Sequence, residues 1–287
     1  MINEDVFLQS LDEVIDDEDE IIVLYSGIWT FINKINFSIK KKINIPSKIL
    51  DLIELKIGKN KTLIMPSFSG EQFNKKKIFD IDTAIDKNNG LLSIAALKRK
   101  YYRTSNPIHS YLIYGKKHDI QKYKFFSSWG KKSILEYFSK KNVRICNLGL
   151  PWNKGCAYLH RFEEKYKVPW RYQKKFEGKI RKNKKIIGNC FEKKFCSSNM
   201  VPLKYDYKPF IKDIEKARSF RKSSNKLFKF ESIKSSCLNK IGEKIFTHNP
   251  WVIIKNKKQT RKWIKNFKEE EILNAAIEDL HHNHTDL

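Results

Sequence analysis

Three residues on one predicted helix have the types and the spacing for proton transfer. His160 is followed by Glu163 three residues on and by Glu164 four residues on. Residues at those offsets share one face of a helix, so a carboxylate there can hold and polarise the imidazole. An imidazole backed by a carboxylate is a common general base. An ordinary ion pair on a helix surface has the same spacing, and the pattern alone leaves both interpretations open.

The residues ahead of His160 predict the elements that position this helix. Residues 143–150 form a short apolar run, and Gly149, Pro151 and Gly155 mark a turn at its end. A short apolar run bounded by turn residues is typical of a buried strand. We therefore expect a strand at residues 142–150 that leads through a turn into the helix of His160.

Apolar runs and helical patterns alternate along the rest of the chain. Helices are predicted at residues 6–15, 46–57, 91–101, 133–139, 208–220 and 262–280, further strands at residues 20–28 and 61–70, and a turn into a third strand at residues 103–115. Residues 71–89 predict a long polar loop, residues 185–207 a β-hairpin, and residues 250–254 a strand or turn. Alternation of this kind is typical of a layered α/β fold with sites at strand ends.

The expected fold class is an α/β/α sandwich with a central mixed sheet, helices on both faces and a C-terminal β/α extension. The length of 287 residues allows one sizeable core. We expect a core at residues 1–180, which carries the helix of His160, and an extension at residues 181–287 packed on it. One continuous domain is the alternative.

The composition is that of a globular protein, with 40% hydrophobic and 13% aromatic residues. No run approaches the roughly 20 apolar residues of a membrane span, and the acidic N-terminus does not resemble a signal peptide. A cytoplasmic location is therefore expected. The five cysteines have irregular spacings without a CxxC pair, so neither a disulfide framework nor a metal site is predicted. The tail HHNHTDL is interpreted as solvated.

The chain is strongly basic, with 58 Lys and Arg against 32 Asp and Glu. Such a balance favours a polyanionic partner, and a nucleic-acid-binding protein is one alternative. However, Lys outnumbers Arg, and Ile and Asn are also abundant, which is the bias of an AT-rich genome. Because Arg is the better reader of bases and phosphates, no nucleic-acid partner is expected. The surplus charge can instead favour a small anionic ligand.

Motifs of several common enzyme classes are missing from the sequence. It contains no GxGxxG and no P-loop, so neither a dinucleotide enzyme nor a P-loop NTPase is supported. The absence of GxSxG argues against an α/β-hydrolase.

Three other motifs occur in order along the chain: LIMPSFS at residues 63–69, RTSNPIHS at residues 103–110 and LHRFEEKYKVPWRY at residues 159–172. Together they resemble the antibiotic N-acetyltransferase family, which includes the aminoglycoside 3-N-acetyltransferases. The resemblance covers about residues 6–178. Asn106 stands where many members have His, and Asn153 falls near an Asp that supports the catalytic His. These departures resemble the branch found in surface-polysaccharide gene clusters, which acts on amino sugars that are often linked to nucleotides.

The resemblance implies transfer of an acetyl group from acetyl-CoA to a sugar amine, with acetyl-CoA bound by residues 1–180. An ammonium has no lone pair, so a base must remove a proton. His160 is the expected base, Glu163 orients it, and Asn153 fixes its tautomer. The acceptor is expected to be a nucleotide-linked amino sugar or an aminoglycoside such as those acetylated in antibiotic resistance. A family member that binds acyl-CoA or a sugar without turnover is a further alternative.

Other candidate residues lie at turns and strand ends. The expected contacts to acetyl-CoA, including donors for the oxyanion formed from its carbonyl, are Ser26, Gly27, Ser67, Arg103, Thr104 and Ser110. Turn and cap chemistry explains the serines equally well. Asp206 is a candidate carboxylate for the substrate amine, Trp152 is a candidate wall of the sugar pocket, and His109 is assigned to the core or the pocket. A homo-oligomer is left open.

Overall fold

The computed structural model describes residues 1–38, 44–116, 119–155, 157–197 and 201–266. The helices are α1 Glu4–Val14, α2 Ile45–Ile57, α3 Gly70–Lys76, α4 Leu91–Lys98, α5 Ile134–Lys141, α6 Trp152–Gly155, α7 Leu159–Lys165, α8 Lys208–Glu215, α9 Ser235–His248 and α10 Lys257–Asn266. The strands are β1 Ile21–Ser26, β2 Thr62–Pro66, β3 Ile78–Asp80, β4 Tyr102–Arg103, β5 Tyr111–Gly115, β6 Arg144–Leu148, β7 Arg171–Lys182, β8 Lys185–Ser197, β9 Arg221–Lys222 and β10 Phe230–Lys234.

The main sheet has seven strands in the order β4-β5-β2-β1-β6-β10-β9. The three central strands β2, β1 and β6 are parallel, and the strands outside them are antiparallel to their neighbours. The carboxyl ends of the parallel strands therefore meet at one edge of the sheet. In open α/β sheets this edge is where ligands bind.

Helices cover both faces of this sheet because successive side chains of a strand point to opposite faces. In β1, Ile21, Val23 and Tyr25 join the core under α5, α7 and α9, while Ile22 and Leu24 join the core under α1, α2 and α4. The predicted α/β/α sandwich with a central mixed sheet is confirmed.

Local sequence signals account for several helix starts. The side chain of Asn3 accepts a hydrogen bond from the Val6 N–H at the start of α1, and Asn44 does the same for Ser47 in α2. Ser133 caps α5 through the Glu136 N–H. Asn and Ser are favoured there because their side chains satisfy backbone donors that the helix leaves unpaired.

Two of the predicted segments were wrong. Residues 71–89 do not form a long loop, because they contain most of α3 and the short strand β3. The β-hairpin does not lie in residues 185–207, because β8 pairs with the preceding strand β7 rather than with the segment after it. β3 adds parallel to β7, and the three strands form a second sheet over its own apolar cluster. The sequence did not indicate the length of β7, because its many lysines interrupt the apolar pattern by which a strand is identified.

The C-terminal third contributes to the main sheet. β10 pairs with β6 at the centre of the fold, and α9 packs in the same core as α5 and α7. Neither β10 nor α9 was predicted. Residue 180 lies inside β7, and the division after it, like the alternative of one continuous domain, stays a prediction.

The remaining predictions concern segment bounds. At residues 103–115 the expected turn leads into the strand β5, and the short strand β4 before the turn, which pairs antiparallel with β5, was not predicted. The helix expected at residues 262–280 begins earlier, at Lys257, and its part beyond residue 266, like the HHNHTDL tail, lies outside the described residues. Among the described residues, no helix has the length and apolar character to span a membrane.

Candidate active site

A pocket opens at the carboxyl edge of the parallel strands. Tyr25 and Ser26 at the end of β1, Pro66 at the end of β2 and Leu150 just after β6 all line it. The segment after β6 turns at Gly149, whose positive φ of 75° suits glycine, and leads through α6 into α7. That path brings His160 to the pocket wall.

His160 and Glu163 form a hydrogen-bonded pair behind this wall. The distance from His160 Nδ1 to Glu163 Oε2 is 2.7 Å. The His160 side chain is 14% exposed, whereas that of Glu163 is 1% exposed. The imidazole therefore reaches the pocket while the carboxylate is fully covered. Glu164 has no such contact with the ring; it lies against Gly130, where a Cβ atom would overlap its carboxylate.

Glu163 is held by three further groups. Arg171 Nε lies 2.9 Å from Oε2, and Oε1 accepts hydrogen bonds from Trp170 Nε1 at 3.0 Å and the Tyr205 hydroxyl at 2.8 Å. Burial alone would raise the pKa of Glu163, but the Arg171 guanidinium and these bonds outweigh it and hold the pKa well below its ordinary value. The carboxylate is thus permanently charged at neutral pH.

The charge on Glu163 favours one tautomer of His160. A carboxylate can only accept, so the 2.7 Å contact is a hydrogen bond when the proton is on Nδ1, which leaves the lone pair on Nε2. Arg171 Nη2, which can only donate, lies 3.0 Å from the same Nδ1, but the ionised carboxylate is the closer partner. Burial lowers the pKa of His160, and the nearby Arg171 lowers it further against the opposing effect of Glu163. A neutral imidazole with a free ring nitrogen is the form that accepts a proton.

Two other predicted residues line the pocket, and a third shapes it. Ser26 and Asn153 are both in its wall. Gly27 donates its N–H to the Leu148 carbonyl at 2.8 Å and packs against Leu150, whose side chain a Cβ atom would overlap. Because glycine has no Cβ atom, the Leu150 side chain can lie against Gly27 in the pocket wall.

Arg103, Thr104 and Ser110 do not line the pocket, contrary to their expected role at the coenzyme. The Arg103 guanidinium is buried, bonds to the Ser67 carbonyl at 2.7 Å and to Ser110 Oγ at 3.0 Å, and lies over the Phe79 ring. Burial lowers its pKa to about 9. Arg103 thus donates its hydrogen bonds to other residues of the protein and links the seven-stranded sheet to β3 of the second sheet.

The hydroxyl groups beside Arg103 have similar structural roles. Thr104 Oγ1 donates to Asn106 and accepts the Tyr111 N–H, both across the turn between β4 and β5. Ser110 Oγ donates to the Ser67 carbonyl at 2.6 Å. Ser67 itself is fully buried and does not reach the pocket wall, so neither serine is placed to donate to a ligand there.

The two predicted substrate residues also lie away from the pocket wall. Trp152 is 1% exposed and packs in the core beneath α9. Asp206 accepts the Lys208 N–H at 3.1 Å, which is a local turn contact two residues along the chain, just before α8. Large aromatic side chains and carboxylates at helix starts are common in such structural roles, and their spacing in the sequence carries no signal that separates the two cases.

Sequence reasoning missed several residues of the site. Arg171 and Lys194 line the pocket from the β7–β8 hairpin, and Trp129 lines it from the loop before α5. Arg171 belongs to the motif LHRFEEKYKVPWRY but was given no role. Its place after the Val-Pro pair of that motif is the signal that could have identified it as a site residue. For Lys194, one lysine among many in a polar strand, we find no local signal.

His109 also lines the pocket, and a second carboxylate holds it. Its Nδ1 lies 2.9 Å from Ser128 Oγ and 3.3 Å from Glu192 Oε1, and Ser128 Oγ donates to the same oxygen at 2.7 Å. Its ring centroid lies 4.1 Å from that of Trp129, which in turn lies 5.1 Å from that of His160. The two imidazoles therefore flank one indole.

The charged side chains of the pocket wall are all basic within the described residues. Lys154, Arg171 and Lys194 line it, and no Asp or Glu does. The same part of the chain holds no cluster of three or more His, Cys, Asp or Glu side chains suited to a metal ion.

The family model for aminoglycoside 3-N-acetyltransferase matches residues 38–236, well over half of the chain. Comparison with curated proteins gives no significant match. Three solved structures share the fold: the apoenzyme of aminoglycoside acetyltransferase AAC(3)-IVa, AAC-VIa bound to sisomicin, and AAC-IIIb in a binary complex with CoASH.

All three structures are distant in sequence and similar in fold. Their identities are 13%, 10% and 15%, and their TM-scores 0.65, 0.65 and 0.64. The alignments cover 91%, 85% and 85% of this chain and 96%, 96% and 97% of the respective neighbour. At such identities the similarity to these structures shows the fold alone, and the family is shown by the family model. The chain belongs to the aminoglycoside 3-N-acetyltransferase family, and its enzyme class is N-acetyltransferase.

Proposed function

We propose that this N-acetyltransferase takes its acetyl group from acetyl-CoA and transfers it to the amine of a sugar, with His160 as the general base. The observation that carries the proposal is the His160–Glu163 pair at the pocket wall. Nε2 of the neutral imidazole removes the proton that the amine loses as it attacks the thioester. Glu163 keeps the Nδ1 proton in place and stabilises the imidazolium as it forms.

The pocket wall offers groups that suit acetyl-CoA. Ser26, Asn153 and the loop at residues 88–90 provide hydroxyl, amide and backbone groups for a pantetheine chain, and Lys154 is exposed beside them. An ammonium group can pair with phosphate. The complex of AAC-IIIb with CoASH supports the same donor for this chain.

The charge of the wall favours an acceptor that carries negative groups. An aminoglycoside is polycationic and is best held by acidic side chains, whereas the described wall has Lys154 and Lys194, an Arg171 that is paired with Glu163, and no acid. A nucleotide-linked amino sugar brings phosphates that such a wall attracts. AAC-VIa binds sisomicin, so aminoglycosides belong in any test. The proposal also includes a cytoplasmic location for the protein. There the free cysteines of the described residues would stay reduced.

A substrate panel with a matched pair of variants tests this function. Wild type, given acetyl-CoA, should release free CoA thiol with at least one UDP-, dTDP- or GDP-linked amino sugar and should prefer it to aminoglycosides. His160→Asn should lower turnover by about 100-fold or more, because a positioned base is worth that much.

His248→Asn is the matched control, since His248 is exposed on α9 and does not line the pocket. It should leave turnover unchanged. Full activity of His160→Asn would exclude His160 as the base, and preference for an aminoglycoside would contradict the proposed substrate class.

A further inference from the structure

The pocket contains two histidine–carboxylate pairs with different charge environments. Glu163 is already neutralised by Arg171, whose Nε lies 2.9 Å away. The ion pair of Glu192 is with His109, at 3.3 Å between Oε1 and Nδ1. Both carboxylates are buried, Glu192 completely, and a buried charge needs a partner of opposite charge. Glu163 has its cation in Arg171, whereas within the described residues the ion pair of Glu192 is with His109, which is charged only when it is protonated.

The hydrogen bonds around Glu192 keep it ionised. Oε2 accepts the backbone N–H groups of Ile108 at 2.7 Å and His109 at 3.2 Å, and Oε1 accepts the Ser128 hydroxyl at 2.7 Å. Burial opposes ionisation of Glu192, but the contacts to His109, Ser128 and Ile108 outweigh it, and its pKa is lowered.

Lys194 on β8, Arg171 on β7 and His160 on α7 line the same pocket, and the pKa of His160 is lowered from its ordinary value. The positive charge of Lys194 opposes protonation of His109, whereas that of Arg171 is balanced by Glu163. Glu192 acts on the imidazole by direct contact, and the rings of Phe68, at 4.8 Å between centroids, and Trp129 also lie beside it. The ion pair with Glu192 favours the imidazolium form of His109.

We propose that His109, held as an imidazolium by Glu192 and Ser128, is the general acid that donates a proton to the leaving sulfur. This inference rests on the proposed acetyl transfer. Two titratable groups whose environments separate their protonation states are the usual arrangement of an acid and a base in one site. His160 lies on the other side of Trp129 and takes the basic role.

The step balances in atoms and electrons. Starting from the neutral amine, nitrogen forms a bond to the acetyl carbon and gives one proton to Nε2 of His160. The carbon–sulfur bond breaks with its electron pair going to sulfur, which receives the Nε2 proton of His109. His160 then holds one proton more and His109 one fewer, and exchange with water restores both. Glu192 and Ser128 act as positioning residues.

The first test reads the protonation states and needs no turnover. Nitrogen NMR of the full chain labelled in its seven histidines, assigned with His109→Asn and His160→Asn, should show His109 as an imidazolium near neutral pH. His160 should be neutral with its proton on Nδ1. In Glu192→Gln, which keeps an acceptor for the Ile108 N–H, His109 should become neutral. A neutral His109 in wild type, or no change in Glu192→Gln, would overturn the proposal.

The second test varies the leaving group. With acetyl-CoA, His109→Asn and Glu192→Gln should lower turnover by about 100-fold. With the acetyl thioester of 2-nitro-5-thiobenzoate, whose thiolate leaves without a proton, the loss should shrink to less than about tenfold. The loss in His160→Asn should stay the same for both donors, and His248→Asn should show none.

The outcomes separate the two proposals. Equal losses for both donors in His109→Asn would exclude proton donation to sulfur, even if wild type is fully active. A wild type that acetylates no amine of the panel would refute the proposed function and the acid step with it, whatever NMR shows for the protonation of His109.

Discussion

At the scale of single residues, the role of His160 depends on what surrounds its carboxylate. Arg171 and Glu163 are both nearly unexposed and in direct contact, so the pair carries little net charge beside the ring. An unneutralised carboxylate would favour the imidazolium, as we infer for His109. In the proposed mechanism, the same two residue types, His and Glu, serve as base in one pair and as acid in the other, and Arg171 makes the difference.

This dependence predicts how pH will affect a variant of Arg171. The pKa of His160 is lowered by burial and then by Arg171, so the acid limb of kcat/KM in wild type should lie below the ordinary value of 6.5. In Arg171→Gln the cation is lost and Glu163 is left to favour the imidazolium. The pKa of His160 rises, and activity is lost at a higher pH than in wild type.

A pH profile of kcat/KM from pH 5 to pH 8 measures the shift, with roughly one unit or more expected for loss of a contacting charge. Arg181→Gln is the control, because Arg181 lies on the same strand but pairs with Asp80 at 2.8 Å. Because a buried ion pair is broken, unfolding should be recorded too, and a loss of about 3–5 kcal/mol is expected. An unshifted limb in a folded variant would contradict the role of Arg171.

At the scale of elements, the short helix α7 is positioned by its packing on α9. Gly242 of α9 faces the Phe162 ring so closely that a Cβ atom would overlap it. Phe162 lies between His160 and Glu163 in sequence and is fully buried. The contact between these two helices therefore sets where the His160–Glu163 pair lies relative to the sheet.

Gly242→Ala tests this packing. Although alanine favours a helix more than glycine does, the added methyl group must displace Phe162, and overpacking of a core costs about 1–3 kcal/mol. We expect lower stability in denaturant unfolding and a lower kcat. Lys240→Ala, at an exposed site of the same helix, should change stability by less than about 0.5 kcal/mol. Equal stability of Gly242→Ala and wild type would show that the ring moves freely.

At the scale of the whole molecule, the pocket is assembled from distant parts of the chain. The parallel strands supply its floor from residues before 150, and the hairpin of β7 and β8 closes it with Arg171 and Lys194. β10 then adds to the same sheet beside β6. A chain connected in this way should unfold as one unit.

Calorimetry of the full chain should therefore show a single transition. Ile64→Val in β2 and Ile233→Val in β10, both fully buried, should each cost about 0.5–1.5 kcal/mol. Each should lower the same midpoint by roughly 2–4 °C. Two transitions, with each variant moving a different one, would instead support separate units before and after residue 180.

The sequence by itself determined many of the local elements and placed His160 on one helix face with Glu163 and Glu164. A helix turn brings residues three and four apart to one face, so the candidates follow from spacing, while the choice of Glu163 was made by the tertiary structure. The strand before it follows equally from the apolar run that ends at Gly149. The order of motifs, each read locally, was enough to indicate the family.

Only the tertiary structure decided which charges and hydroxyls meet. Arg103 has the chemistry of a phosphate ligand, but its guanidinium donates to the Ser67 carbonyl. The partner of Glu192, His109, lies 83 positions earlier in the chain, and no residue near Glu192 in sequence indicates it. Contacts of this kind depend on the register of strands and the packing of sheets, which short-range spacing does not encode. In the proposed mechanism, the Arg171 cation beside Glu163 makes His160 the base, whereas His109, whose carboxylate Glu192 contacts it directly, is the acid.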